Sequence, residues 1–139
     1  MTLRFFGELG EAEVAKAVAT LGKVAGSLPS TLLAKGGPGT RFLGPGLVVW
    51  PVEGLAGIAQ AVEQATAGIG QPVPGRRFVG HLTIARGRRD MDLRPARHLL
   101  SPLAMSWPVI SLSLVRSDLH PDGARYRDVK AFPVAQGGG

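Results

Sequence analysis

Glycine and proline divide this chain into short segments, and this limits it to a fold of short helices and strands. Its 139 residues include 20 glycines and 11 prolines. Many of them gather at 26–29, 36–39 and 44–46, where they favour turns because glycine reaches positive φ and proline fixes φ. Each regular element must therefore fit between neighbouring turns.

The spacing of apolar residues between these turns predicts two helices and several strands. One helix begins near Glu11 and ends at 26–29, and a second runs from Leu55 until Gly68. A short helix interrupted by Pro102 is expected between Asp92 and Met105. Strands are expected at 2–8, 47–52, 78–86, 107–117 and 126–134, with short strands among the turns of 30–46. The last two strands would form a hairpin through Pro121-Asp122-Gly123.

Composition predicts one globular domain, residues 1–135, followed by a disordered tail at 136–139. The chain is 45% hydrophobic, but no apolar run approaches the roughly 20 residues that span a bilayer. The beginning of the sequence does not resemble a secretion signal, so a cytoplasmic location is expected. With no cysteine, the chain has no disulfide, no thiolate nucleophile and no cysteine-based metal site.

The segment Phe78–Arg86 predicts a phosphate site on a strand. Side chains alternate between the faces of a strand, so His81, Thr83 and Ala85 should share one face while Leu82 and Ile84 face a core. Two residues along a strand span roughly 6.5 to 7 Å, so an imidazole and a hydroxyl at this spacing can reach different oxygens of one phosphate. The opening segment, 2–8, is a partial copy of this pattern without its histidine.

Basic residues cluster around His81. Seven of the sixteen lysines and arginines fall within twenty-two positions: Arg76, Arg77, Arg86, Arg88, Arg89, Arg94 and Arg97. Such a cluster favours a polyanionic partner, because neutralised phosphates release counterions. Charge alone is equally consistent with arginines solvated in loops, but the proximity of His81 favours RNA.

These segments, together with 107–133, resemble the 2H phosphoesterase superfamily, and within it the RNA 2′,3′-cyclic phosphodiesterases, also called 2′-5′ RNA ligases. The second family motif, Phe-x-x-His-x-Thr-apolar-Ala-Arg, matches 78–86 completely, and the first motif matches 2–8 after its histidine. Leu114-Val115-Arg116-Ser117 with Gly123 and Tyr126 is similar to the family's closing hairpin. The resemblance implies an α+β fold in which two pseudo-symmetric lobes of antiparallel sheet, with helices outside, flank a central cleft. It also indicates that the family's N-terminal strand, helix and first histidine are absent from this sequence.

The resemblance implies roles for five residues. His81 would be a general base, Thr83 and Thr2 would hold nonbridging phosphate oxygens, Arg86 would contact the phosphate, and Phe5 would contact a nucleotide base. Strict alternation, however, places Arg86 on the face opposite His81, so its role requires a bulge or a strand end near Ala85. The same alternation along the expected strand at 2–8 favours a core position for Phe5.

The implied partners are RNA ends or cyclic nucleotides, with no cofactor, no metal and no membrane. One alternative is an RNA-binding module that lacks turnover. A monomer is expected, and the alternative is a dimer formed through the incomplete first lobe. Asp118-x-His120-x-Asp122-Gly123 superficially resembles a calcium loop, but its twelfth position is Val129 rather than glutamate, so a hairpin turn is the better interpretation. His98 has no partner at metal-ligand spacing and is expected to be a structural or exposed histidine.

Overall fold

The structure, a computed structural model, describes residues 1–88, 91–95 and 103–134. The predicted α+β class is confirmed, because two α-helices and antiparallel strand pairings account for the regular structure of these residues. The elements are α1 (Glu11–Ser27), β1 (Leu33–Gly36), β2 (Arg41–Phe42), β3 (Leu47–Glu53), α2 (Ala56–Ala65), β4 (His81–Arg86), β5 (Met105–Pro108), β6 (Ser111–His120) and β7 (Gly123–Pro133). None of the helices in the described ranges is long and apolar enough to cross a membrane.

Several sequence predictions lie outside the described residues. They are residues 96–102 of the short helix expected between Asp92 and Met105, the basic residues Arg89 and Arg97, His98, and the expected tail at 136–139.

The chain divides into two compact units. The first contains Met1–Leu3, Leu33–Ala59 and Arg76–Pro108, and the second contains Arg4–Leu32, Gln60–Gly75 and Val109–Gly139.

The first unit is built on a five-stranded antiparallel sheet with β3 in its interior. The carbonyls of Leu47 and Pro51 accept hydrogen bonds from Leu43 and Gly37, on the edge of β3 that pairs with β2 and β1. On the other edge, where β4 lies, the carbonyl of Gly46 accepts a hydrogen bond from Gly87, and the N–H of Val52 donates to the carbonyl of Gly80. Strand β5 pairs with β1. Strand β3 therefore joins the short strands to the strand that carries His81.

Two tryptophans organise the apolar side of this sheet. Trp50 stacks on Trp107, with ring centroids 6.0 Å apart and an angle of 11° between the ring planes. This is an offset stack, one of the arrangements that aromatic pairs prefer. The Trp50 indole N–H donates to the carbonyl of Leu103 at 3.3 Å. A Cβ at Gly36 would overlap the Trp50 ring, so this close packing requires glycine there.

The second unit packs α1 against the β6–β7 hairpin. Helix α1 buries Ala17, Leu21, Val24 and Ala25, and Gly22 lies against the ring of Phe132 in β7. At the start of α1, the Glu13 carboxylate accepts hydrogen bonds from the backbone N–H groups of Gly10 at 3.1 Å and Gly70 at 3.3 Å. These bonds satisfy donors that would otherwise lack partners and complement the positive end of the helix dipole.

The predicted opening strand at 2–8 is wrong, because this segment forms no regular element. Arg4 instead turns its guanidinium onto the turn that follows α2, where it donates to the carbonyls of Ile69 at 2.9 Å and Gln71 at 2.8 Å. It also donates to Thr66, through both the carbonyl and the hydroxyl of that residue. Carbonyls at the C-terminal end of a helix lack partners within the helix, and a guanidinium with five donors satisfies several of them at once.

The single strand predicted from Trp107 to Ser117 is also wrong, because it is two strands in different sheets. Strand β5 ends at Pro108, which has no N–H for a ladder bond, and β6 begins at Ser111. Between them, the N–H of Val109 donates to the carbonyl of Leu32, and the carbonyl of Ile110 accepts from Val134, each at 2.9 Å. The predicted hairpin turn is confirmed, since His120 pairs with Gly123 at the end of the β6–β7 ladder.

Candidate active site

A β-bulge in β4 determines which side chains share a face with His81. Val49 of β3 pairs with Thr83, but the next pair is Val48 with Ala85. Ile84 is therefore an extra residue of β4 that has no pairing partner on β3. One extra residue reverses the alternation of side chains beyond it.

The bulge brings Arg86 to the face of His81. His81, Thr83 and Arg86 lie opposite Pro51, Val49 and Leu47, which occupy alternate positions along β3 and therefore point to one side. Ala85 lies opposite Val48 and shares the face of the buried Trp50, so the prediction that Ala85 lies beside His81 and Thr83 is wrong. The bulge required for Arg86 to share that face is present.

The backbone before β4 holds the His81 imidazole in one orientation. His81 is half-buried, and its Nδ1 lies 2.7 Å from the carbonyl oxygen of Val79. Because a carbonyl can only accept, Nδ1 carries the proton of this hydrogen bond, and Nε2 of the neutral ring is left as a proton acceptor.

Gly80 fixes the entry of the chain into β4. Its carbonyl accepts a hydrogen bond from the N–H of Val52 at 2.9 Å, and a Cβ at this position would collide with the Val52 carbonyl. The residue before His81 must therefore be glycine for the two strands to approach this closely.

The charged groups near β4 differ in whether they have a partner. Thr83 and Arg86 are exposed, and the guanidinium of Arg86 forms no ion pair or hydrogen bond within the described ranges. Arg94 is instead engaged by Asp92, with Nε 2.9 Å from Oδ1, and the hydrogen bond from Arg94 lowers the pKa of the Asp92 carboxyl. Arg86 is thus the basic side chain of β4 that remains available to an anion.

Arg41 is a basic residue on the same face that the sequence did not single out. It pairs with Val49 from β2, while Thr83 pairs with Val49 from β4, so Arg41 and Thr83 flank this valine on one side of the sheet. Strand β2 has only two residues and shows no alternation. The signal that identifies Arg41 is the pairing itself, which local spacing does not encode.

Thr2 and Phe5 are not part of this strand arrangement. Thr2 belongs to the first unit and is exposed in a segment without regular structure. Phe5 belongs to the second unit and is 74% exposed, so the core position expected from its parity is wrong. The neighbouring Phe6 lies under the Arg4 guanidinium, with the ring centroid 4.7 Å from its central carbon.

Asp118, near the end of β6, is engaged with two arginines of the hairpin. Asp118 accepts hydrogen bonds from Arg116 at 2.8 Å and Arg127 at 3.2 Å, and the pKa of its carboxyl is held below its ordinary value, chiefly by the bond from Arg116. Within the described ranges, no three His, Asp or Glu side chains are grouped so that they could hold a metal ion.

The chemistry available on the His81 face is that of an anion site with a base. A neutral imidazole nitrogen can take a proton, the hydroxyl of Thr83 can donate to an oxygen, and the planar guanidinium of Arg86 can bind two oxygens of one phosphate.

Comparison with known proteins gives structural matches only. No protein-family model matches the chain, and no curated protein matches its sequence. The structure is similar to the crystal structure of TT0787 of Thermus thermophilus, with a TM-score of 0.77 and 26% identity over 96% of this chain and 76% of that one. It is also similar to E. coli LigT complexed with 3′-AMP, with a TM-score of 0.71 and 21% identity over 97% of this chain and 76% of that one. A further crystal structure, of a phosphoesterase, matches with a TM-score of 0.69 and 19% identity over 97% of this chain and 76% of that one.

Proposed function

We propose, from the premise that this chain has the fold of the 2H phosphoesterase superfamily, that it hydrolyses 2′,3′-cyclic phosphates at RNA ends to 2′-phosphates. The observation that carries the proposal is the register of β4, in which the Ile84 bulge gathers His81, Thr83 and Arg86 on one face. The superfamily resemblance of the sequence supplies the reaction, and LigT bound to 3′-AMP shows that a protein of this fold accepts a nucleotide.

In this reaction, His81 acts as the base. Its Nε2 takes a proton from a water molecule as the water oxygen attacks phosphorus, and the bond between phosphorus and the ribose 3′ oxygen breaks. Thr83 donates to one nonbridging oxygen, and Arg86 neutralises the charge that develops on the phosphate. Attack by the 5′ hydroxyl of a second RNA in place of water, with the same bond to the 3′ oxygen broken, would instead form a 2′-5′ phosphodiester, which is the ligase reaction.

The departing 3′ oxygen must receive a proton. The family's first motif provides a second histidine for this step, whereas Met1 precedes Thr2 in this sequence. Loss of a general acid typically costs about 10²- to 10⁴-fold in rate, so the rate of this reaction depends strongly on the group that gives this proton. Thr2, which belongs to the same unit as His81, would hold a second oxygen.

The test is turnover of a 2′,3′-cyclic mononucleotide by the native chain, His81→Ala and the control His120→Ala. His120 is an exposed histidine at the hairpin end, so its loss should leave the rate unchanged. His81→Ala should reduce the rate at least 10²-fold. Equal rates for native protein and His81→Ala would show that the assignment is wrong.

A second candidate function is binding of RNA ends without turnover. It is favoured by the irregular conformation of 2–8, the segment that matches the remainder of the first family motif and includes Thr2. Salt-dependent binding of a phosphate-ended RNA with no product in the assay above would support it.

A further inference from the structure

Arg41 lies across the central strand from the proposed phosphate site. Successive strands are about 4.8 Å apart, so the backbones of Arg41 and Thr83, on either side of Val49, are separated by about 10 Å. Arg86 is on the Thr83 side, opposite Leu47. The two guanidiniums therefore start from opposite edges of β3 and project to the same side of the sheet.

Neither guanidinium is neutralised by the described parts of the chain. Arg41 is exposed, and its guanidinium, like that of Arg86, forms no ion pair or hydrogen bond with the described residues. Glu53 is on the same side but lies opposite Lys35, four residues along β3 from the Val49 position. Two unpaired cations on one face, with no carboxylate between them along β3, favour a ligand that carries more than one negative charge.

We propose that Arg41 forms a second phosphate subsite, which binds the phosphodiester next to the reacting one, so that the protein prefers an RNA oligonucleotide to a mononucleotide. This inference rests on the proposed function. A phosphate held by Thr83 and Arg86 lies at the β4 edge, and Arg41 lies two strands away on the same face of the sheet, so one ligand contacts both groups only if it carries a second phosphate beyond the reacting one. The planar guanidinium suits a phosphate there as it does at Arg86.

The experiment compares two substrates: a 2′,3′-cyclic mononucleotide, and a trinucleotide that ends in the same cyclic phosphate. The proteins are the native chain, Arg41→Ala and the matched control Arg125→Ala, which removes the same charge from an exposed hairpin position. Arg41→Ala should lower kcat/KM for the trinucleotide about tenfold, the loss expected for one charge-assisted phosphate contact, and change it less than twofold for the mononucleotide. Arg125→Ala should change neither.

Two outcomes of this comparison would overturn the subsite. An equal loss on both substrates would place Arg41 at the reacting phosphate, and no loss on the trinucleotide would leave it without a role in binding.

A binding assay separates failure of the subsite from failure of the proposed function. If the native chain turns over neither substrate, its affinity for a trinucleotide ending in a 2′-phosphate is measured against salt concentration. Arg41→Ala should weaken binding and reduce the slope of log K against log salt by about 0.7, the value for one phosphate of a single strand. An unchanged slope and affinity would contradict the subsite even in the absence of turnover.

Discussion

His81 is positioned by two backbone contacts on the segment that precedes it. Its Nδ1 is held by the carbonyl of Val79, and Gly80 allows Val52 to approach β4 at the first residue of the strand. The first contact selects the protonated nitrogen, and the second sets where the strand starts. Both act on the imidazole through its orientation rather than through contact with a substrate.

Gly80→Ala is expected to impair catalysis by displacing His81. The added methyl group would overlap the Val52 carbonyl, so the two strands must separate, and kcat should fall about tenfold or more. The free energy of unfolding should fall by about 1–3 kcal/mol, as for other overpacked sites. The measurements are steady-state kinetics and thermal unfolding.

The control for this substitution is Gly75→Ala, where the new methyl group meets no atom within 4 Å. It should leave both measurements near those of the native chain. Native kinetics in Gly80→Ala would contradict the positioning role.

The bulge in β4 acts at the scale of the element. Without the bulge, a regular ladder that paired Ile84 with Val48 would put Ala85 on the His81 face and turn Arg86 toward the side of Trp50. The sequence predicted the strand and the need for an irregularity near Ala85. It did not predict the position of the extra residue, because that depends on how β4 pairs with β3.

Deletion of Ile84 should remove the bulge and leave Arg86 opposite Leu47, on the His81 face. The deletion should therefore keep KM for a cyclic phosphate near the native value, whereas Arg86→Ala should raise it, because only the substitution removes the guanidinium from the site. Substitution of Ile84 by Val keeps the extra residue and should retain native kinetics. Hydrogen exchange of β4 amides reports whether the strand remains paired in the deletion variant. A paired β4 with the raised KM of Arg86→Ala after the deletion would contradict this register.

Asp118 makes the β6–β7 hairpin sensitive to acid. Arg116 and Arg127 lower the pKa of the Asp118 carboxyl in the folded chain. The interaction of the ionised carboxylate with these two arginines therefore stabilises the hairpin at neutral pH. This contribution is lost as the pH falls through the lowered pKa. The effect is small, since exposed ion pairs contribute little.

The test compares thermal unfolding of native protein and Asp118→Asn from neutral to acidic pH. The native chain should be the more stable at neutral pH, and the two curves should converge in acid. A difference that persists unchanged in acid would contradict the assignment.

At the scale of the whole molecule, contacts between distant residues explain what the sequence could not predict. Both helices, β3, β4 and the closing hairpin follow from local spacing and turn residues, and the structure contains them. The segment 2–8 has the pattern of a strand, but Arg4 binds Thr66, 62 residues away, and that contact decides its conformation. Arg41 is likewise placed by its pairing with Val49 rather than by its neighbours in sequence.

Net charge also belongs to this scale. The formal charge of +6 should make RNA binding strongly dependent on salt. The logarithm of the affinity for an oligonucleotide ending in a phosphate should fall linearly with the logarithm of the salt concentration, with a slope of about −0.7 per phosphate contacted. This slope should be steeper than the slope for a mononucleotide. Titrations at several salt concentrations measure this. Identical slopes for the two ligands would show that only the terminal phosphate is bound.

The stacked indoles of the first unit provide a built-in optical reporter. Trp50 and Trp107 are the only tryptophans of the chain, and both belong to that unit, whereas the single tyrosine, Tyr126, belongs to the second. Selective excitation of tryptophan therefore follows the sheet that carries His81 and leaves the helix–hairpin unit silent. Unlabelled protein is thus sufficient to determine by fluorescence whether a variant has perturbed the sheet of the proposed site.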